Sequence, residues 1–208
     1  VPETRVLTRN LAWRQIGDIS KGDTLLGFDE DTRCGQGNDH HRHWREAKVI
    51  SIHRLTAPCY KLTFSDGTTV TCTGDHRWLA RSTSSYEKAV WVRTDEICLE
   101  DRPKHTRHPW EVVKLLDVWG RRDDFNSGWL SGLLDGEGCL QRPPYSIRLT
   151  LAQNAGAVLD CALALLKDDN FVPSVDKTKR NHKAVFGRSR DVFRILGLYR
   201  PIRLLKKF

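Results

Sequence analysis

The sequence predicts an α+β protein, an all-β part over residues 1–114 followed by an αββαββα part over residues 115–208. Three observations carry this expectation. In the first half, short segments rich in β-branched and aromatic residues recur between turn formers, and long helical periodicity is missing. Around residues 104–124 a polar connector containing Pro and His changes the texture. Beyond it, helix-capping residues and an apolar i, i+3, i+4, i+7 stripe alternate with pairs of strand-like segments.

Strands are expected at 5–8, 24–28, 48–54, 59–64, 68–73 and 89–94. Asp66-Gly67 lies between two of them and is a strong hairpin signal, because Gly adopts the positive φ that a tight turn requires. In the second half, Asn126 or Ser127 is positioned to cap a helix beginning at Gly128-Trp129. Asn154 is positioned to cap another, whose apolar stripe is Val158, Cys161, Ala162 and Leu165. Strands are expected at 138–142, 145–152, 171–176 and 182–187, then a helix at 190–196 and a short one after Pro201.

Composition excludes several classes. A chain of 208 residues that is 39% hydrophobic, with 7 Trp and 7 Phe, has the material for a core and is not disordered. No stretch approaches the roughly 20 consecutive apolar residues that a bilayer demands, so no membrane partner is expected. The start of the sequence is charged and lacks the apolar centre of a secretory signal, which points to an intracellular, cytoplasmic setting. There are 34 Lys and Arg against 26 Asp and Glu, a formal net charge of +8. The excess is local: residues 1–119 carry 18 basic and 17 acidic side chains, residues 120–208 carry 16 and 9, and 177–207 alone holds eleven basic residues and one acid. Such a cluster calls for a polyanion, nucleic acid first, although a solvated helix face has the same composition.

The six Cys are scattered rather than paired, as expected of free thiols in a reducing compartment. Cys34, His40, His41 and His43 lie close enough in sequence to offer zinc ligands, but the spacing fits no common zinc pattern, and a polar loop over 32–44 explains them equally. The absence of Met is expected of a segment excised from, or cut out of, a longer precursor.

The sharpest motif is Leu130-Ser131-Gly132-Leu133-Leu134-Asp135-Gly136-Glu137-Gly138. Small residues at 131 and 132 allow two helix backbones to approach, and acids at the carboxyl end then fall beside that interface. A buried core helix with an acidic end is the plainer alternative. Residue by residue the stretch resembles the LAGLIDADG homing endonuclease motif, with Ser for Ala, Leu for Ile, Gly for Ala and Glu for Asp. The resemblance implies a divalent cation, Mg²⁺ with Mn²⁺ or Ca²⁺ as substitutes, held by the second acid, Glu137; Asp135 is the other candidate ligand. It implies double-stranded DNA as substrate. With one motif in the chain it implies a homodimer, or a missing second half, since 114–120 is too poor and too close to serve as another motif.

The same resemblance places Gln153 as a residue ordering active-site water and Lys206 as facing the scissile phosphate. It lays the four strands in the DNA major groove, with Arg142, Arg148, Lys177, Lys179, Arg180, Lys183, Arg188 and Arg190 as base and phosphate contacts.

The first half resembles, more weakly, the Hint module of inteins. Thr4-Arg5-Val6-Leu7-Thr8, Gly22-Asp23 and Leu25-Leu26-Gly27-Phe28-Asp29 are similar to its opening block, and Asp66 to His76 is similar to its second block, whose Thr-x-x-His pair is Thr73 and His76. An acyl shift needs a held oxygen and an imidazole that protonates the leaving nitrogen. The opening nucleophile and the closing His-Asn block of that family have no counterpart here, so self-splicing is not expected. Trp78, two residues after His76, matches inteins that lack the first nucleophile, and core packing explains it as well.

The leading expectation is a metal-dependent, homodimeric, site-specific DNA endonuclease of intein type, in a phage or bacterial host. The alternative is a protein-splicing fragment whose C-terminal part is absent or supplied by another chain. A DNA-binding protein with a degenerate nuclease is a third.

Overall fold

A computed structural model of the chain describes residues 1–31, 42–82, 89–98, 110–113, 116–142, 147–177 and 181–208. Short strands open it: β1 (Arg5–Leu7) and β2 (Trp13–Gln15) form a two-stranded sheet, followed by a 3₁₀ turn at Ile16–Asp18. β3 (Thr24–Phe28) matches its expected range and pairs antiparallel with β4 (Trp44–Lys48), from Phe28 opposite Trp44 to Thr24 opposite Lys48. The strand expected at 48–54 therefore lies earlier. The ladder with β3 ends where the Val49 amide meets the Asp23 carbonyl at 2.8 Å, and residues 51–58 carry no strand. Ile50 and Leu55 are 78% and 74% exposed. Their residue types favour a pleated surface, but a strand needs a partner as well as propensity.

β5 (Cys59–Thr63) and β6 (Thr69–Thr73) form the hairpin that Asp66-Gly67 predicts. Gly67 takes φ +85° and the Asp66 carboxylate accepts the Thr68 amide at 2.9 Å. β7 (Arg77–Ser82), unforeseen, is the middle strand of a three-stranded sheet between β8 (Val90–Arg93) and β9 (Trp110–Val112). Trp78, Leu79 and Ala80 are buried along it. α1 (Thr94–Cys98) follows β8.

In the second half the elements run α2 (Phe125–Glu137), β10 (Gly138–Gln141), β11 (Arg148–Gln153), α3 (Ala157–Asp168), β12 (Ser174–Lys177), β13 (His182–Phe186), α4 (Ser189–Tyr199) and α5 (Ile202–Lys207). The mixed α and β content agrees with the expected class. α2 begins before Gly128 because Asp124, not Asn126 or Ser127, is its cap: the carboxylate accepts the Ser127 amide at 2.8 Å and Ser127 Oγ donates to the Asp124 carbonyl at 2.7 Å. Asn154 does not cap α3, whose cap is Gly156 at φ 135°. The buried stripe of α3 is Leu159, Ala162 and Leu166, while Val158 and Cys161 are exposed. That stripe is rotated by a residue from the expected one, since tertiary packing chooses the face.

The four strands form one sheet in the order β10-β11-β13-β12. Leu149, Leu151, Ala184 and Phe186 are buried on one face, and α2 packs on β10 and β11 while α4 packs on β11 and β13. The opposite face carries Gln141, Arg148 and Lys183, all exposed. This is the usual division of an antiparallel sheet into a covered and an open side.

The chain divides into two compact units. The first contains Val1–Arg5, Gln15–Ile19 and Ser51–Asp117; the second contains Val6–Arg14, Ser20–Ile50 and Val118–Phe208. The last run of the second unit begins at Val118, and two segments near the start belong to that unit as well. Within that unit the Trp119 indole donates to the Leu11 carbonyl at 3.1 Å and Trp44 meets Phe193 edge to face, with ring centroids 5.0 Å apart.

Candidate active site

α2 turns into β10 at Gly138, and steric necessity explains the glycine. A Cβ there would stand 2.2 Å from the Leu134 carbonyl oxygen and 3.1 Å from Leu204 Cδ1. Glu137, the last residue of α2, is exposed. Asp135 has a different environment. Its Oδ2 accepts the Ile202 amide at 2.7 Å, and its Oδ1 accepts the amides of Arg203 at 2.8 Å and Leu204 at 3.2 Å. It is the N-terminal cap of α5, which starts directly after Pro201 with no capping side chain of its own.

The sheet register brings Gln153 to the same end of the sheet as Glu137. Gly138 lies opposite Leu151, so the strand end bearing Gln153 extends past the point where α2 enters. The Gln153 side chain accepts the Asn154 amide at 2.8 Å. Lys206 is exposed on α5, which packs against α2 and β10. Glu137 and Gln153 are thus carried by two elements that meet at one end of the sheet, while α5 runs from Ile202, beside Asp135, toward Phe208, beside Arg142 past the other end of β10, with Lys206 two residues before Phe208.

A hard divalent cation takes six or more oxygen ligands, or six in strict geometry. Among the described residues no three His, Cys, Asp or Glu side chains gather into a metal cage. Glu137 has the right donor chemistry but fits such an ion only as one donor, the others coming from phosphate, water or a second chain. Asp135 has its oxygens engaged on α5.

The proposed DNA contacts divide. Arg148 and Lys183 share the open face, the latter opposite Ala152 and next to Asp176 in register. Lys177 lies opposite His182, which lies opposite Gln153, and so belongs to the other parity. Arg142 is exposed over the Phe208 ring at 5.1 Å, and Arg188, the N-cap residue of α4, and Arg190, in its first turn, are exposed. Lys179 and Arg180 lie outside the described residues. Three other arginines of the basic stretch serve the fold: Arg194 stacks on Phe171 at 4.9 Å, Arg200 donates to the Asn10 carbonyl, and Arg203 donates to carbonyls at the end of α2.

In the first unit, Thr73 ends β6 and the His76 amide donates to the Thr73 carbonyl at 3.2 Å. Thr73 lines a shallow pocket with Pro58, Tyr60, Gly74, Asp75 and Arg93; His76 is not part of its wall. A hydrogen bond from the Thr73 side chain is the main cause holding Asp75 below the usual carboxylate range. The His76 ring lies edge-on to Trp78, centroids 4.9 Å apart. Burial of that ring lowers the pKa of His76 from its ordinary value, with Asp75 opposing, although the residue keeps substantial solvent exposure.

Fully buried Thr94 organises this region and was not singled out by the sequence. Its hydroxyl donates to the His76 carbonyl at 3.1 Å and accepts the Trp78 indole at 2.9 Å, with Cys72 Sγ at 3.2 Å. No local pattern marks it, because its partners are 16 to 22 residues away. Arg203 was also missed, although an uncapped helix start after Pro201 is a sequence-level sign that an acceptor must come from elsewhere.

Of the suggested zinc group, Cys34, His40 and His41 lie outside the described residues. His43 Nδ1 is 3.6 Å from Asp29, whose carboxylate also takes Arg45 at 2.9 Å.

No family model matches the sequence. A stretch of 79 residues, 37% of the chain, is 30% identical to the replicative DNA helicase DnaB of Mycobacterium intracellulare. The match spans 11% of that helicase, so the chain corresponds to a small part of its length. Among the described residues no helix is long and apolar enough to cross a membrane.

Proposed function

We propose that the chain is a site-specific DNA endonuclease of the LAGLIDADG type joined to a Hint-like module. The observation that supports this reading is that the motif helix α2, ending in Glu137, and the β11 end bearing Gln153 lie at one end of a sheet whose open face presents Arg148 and Lys183, with α5 packed against α2 and β10. Glu137 would hold Mg²⁺, with Mn²⁺ or Ca²⁺ as substitutes; such an ion, when bound, lowers the pKa of water and stabilises charge on the departing oxygen. Gln153 orders water at the sheet end, and Lys206 offsets phosphate charge. Double-stranded DNA is the substrate, and the basic side chains of β10 to α4 fix its register through the phosphates.

A second copy supplies the other half. Along the outer side of α2, an added Cβ at Gly128, Gly132 or Gly136 would meet nothing within 4 Å, and Phe125 is 85% exposed. A motif helix from an identical chain fits that side and would bring two copies of Glu137 together across a two-fold axis. The partial match to a DNA helicase agrees with a module lodged in a protein of DNA metabolism, and an intracellular setting follows from either role. The Thr73, His76 and Thr94 cluster favours a splicing-type module as the second reading, with a C-terminal fragment as partner in trans.

The test is selection of cleaved molecules from a randomised double-stranded DNA library with Mg²⁺, comparing the parent with Glu137→Gln. The parent should yield a long, partly palindromic site cut on both strands. The variant should lose cleavage while its DNA affinity stays within about twofold, because phosphate contacts are untouched. A parent that cuts nothing overturns the reading.

A further inference from the structure

We propose that Asp135 and Arg203 are positioning residues, a reciprocal pair of helix caps that holds the backbone around Glu137. This rests on the endonuclease reading above and adds residues to its site.

The C-terminal end of α2 leaves carbonyls without intrahelical donors, as every helix does. The Arg203 guanidinium meets them: it donates to the Gly138 carbonyl at 2.7 Å, to the Asp135 carbonyl, and more loosely to that of Leu134 at 3.4 Å. α5 has the complementary need. It starts after Pro201 without a capping side chain, and Asp135 supplies acceptors for the amides of Ile202, Arg203 and Leu204. Each helix thus gives the other its missing group, an acid at the N-terminus of α5 and a guanidinium at the C-terminus of α2. Both charges also oppose the partial charges of those helix ends.

Glu137 sits inside this clamp. Asp135 precedes it by two residues and is tied through side chain and carbonyl; Gly138 follows it and is tied through its carbonyl. The same helix that grips both sides carries Lys206. The carboxylate and the basic group are therefore held in one frame, and the orientation of an exposed Glu at a helix end becomes defined through its backbone. Arg203 reads in sequence as one more member of a basic cluster; its guanidinium is instead half-buried against the end of α2.

The experiment uses the full chain with Arg203→Lys and, separately, Asp135→Asn. The first keeps the charge but replaces a planar fork by a single ammonium that cannot span three carbonyls. The second keeps an acceptor oxygen and loses the carboxylate charge. Four quantities are read: thermal unfolding, affinity for the selected DNA site in EDTA, Mn²⁺ binding to the protein–DNA complex by electron paramagnetic resonance, and single-turnover cleavage against Mg²⁺ concentration. Each variant should keep DNA affinity within about twofold and weaken Mn²⁺ binding about tenfold. Cleavage should slow by about ten- to a hundredfold from misplacement of the carboxylate. Methylguanidinium added to Arg203→Ala should restore part of the rate.

Variants that melt lower yet keep the parental rate and Mn²⁺ affinity overturn the positioning role and leave a structural clamp. Loss of DNA affinity in step with the rate overturns it as well. A parent whose DNA complex takes up no Mn²⁺ and cuts nothing overturns the endonuclease reading itself, and the positioning role with it.

Discussion

At Gly138 a single methyl group decides whether α2 can turn into β10. Its φ of −80° is open to any residue, so the constraint is space rather than backbone freedom. Because the nearest obstacle is the Leu134 carbonyl oxygen at 2.2 Å, Gly138→Ala cannot be absorbed by a side-chain rotation. Overpacking of this kind costs about 1–3 kcal/mol, a fall in Tm of several degrees, and a variant with the parental melting curve would refute the geometry. His76 gives a second residue-scale test. Burial lowers its folded pKa below the ordinary 6.5, so between the folded value and about 6.5 the unfolded chain binds more protons. Stability is then complete above about pH 6.5 and is lost as pH falls through that window. The carboxylates held low, such as Asp75, act nearer pH 4 and below. Urea midpoints at about pH 7.5 and about pH 5.5 should differ less for His76→Gln than for the parent; equal differences would remove His76 as the cause.

At the scale of elements, the outer side of α2 is the most exposed claim. Gly132→Leu puts a branched side chain where a second helix backbone would approach, yet nothing in the chain lies within 4 Å of the new Cβ. The folded monomer should therefore be little affected, while association on DNA and double-strand cleavage should fall by about 100-fold or more. Mass in solution with target DNA, measured beside the melt, separates the two. The elements that could be read from sequence were those whose signal is local. The Asp66-Gly67 hairpin and the spacing of strands and helices after residue 125 are of this kind. Elements fixed by partners distant in sequence escaped: β4 takes its position from β3, β7 from its two neighbours, and α3 from the face that packing selects. The candidate site divides the same way. Its motif residues are contiguous and legible, whereas Thr94 and Arg203 act through contacts across the chain.

For the whole molecule, the consequence concerns where the chain can be cut. A division near residue 115 would make 118–208 a free-standing unit, but the second compact unit also includes Val6–Arg14 and Ser20–Ile50. Leu11 is fully buried at φ 61°, a costly conformation for a branched side chain, and its carbonyl takes the Trp119 indole. Gly197 on α4 leaves the room for this: a Cβ there would lie 2.0 Å from Trp119 Nε1 and 2.7 Å from the Leu11 oxygen. Trp13 packs on Trp119 at 5.3 Å, and Trp44 packs on Phe193 at 5.0 Å. Removing the early segments strips these partners at once, leaving the Trp119 indole without its acceptor at Leu11 and without Trp13, and Phe193 without Trp44. Losses of buried aromatic packing reach about 3–5 kcal/mol per residue, against a total stability of about 5–15 kcal/mol. The fragment 118–208 should therefore show no cooperative unfolding transition by circular dichroism, and a chain that keeps 1–50 and shortens 51–117 should retain one. A sharp melt of 118–208 at the temperature of the full chain would show that the early segments are passengers, and that the cut near residue 115 is the true one.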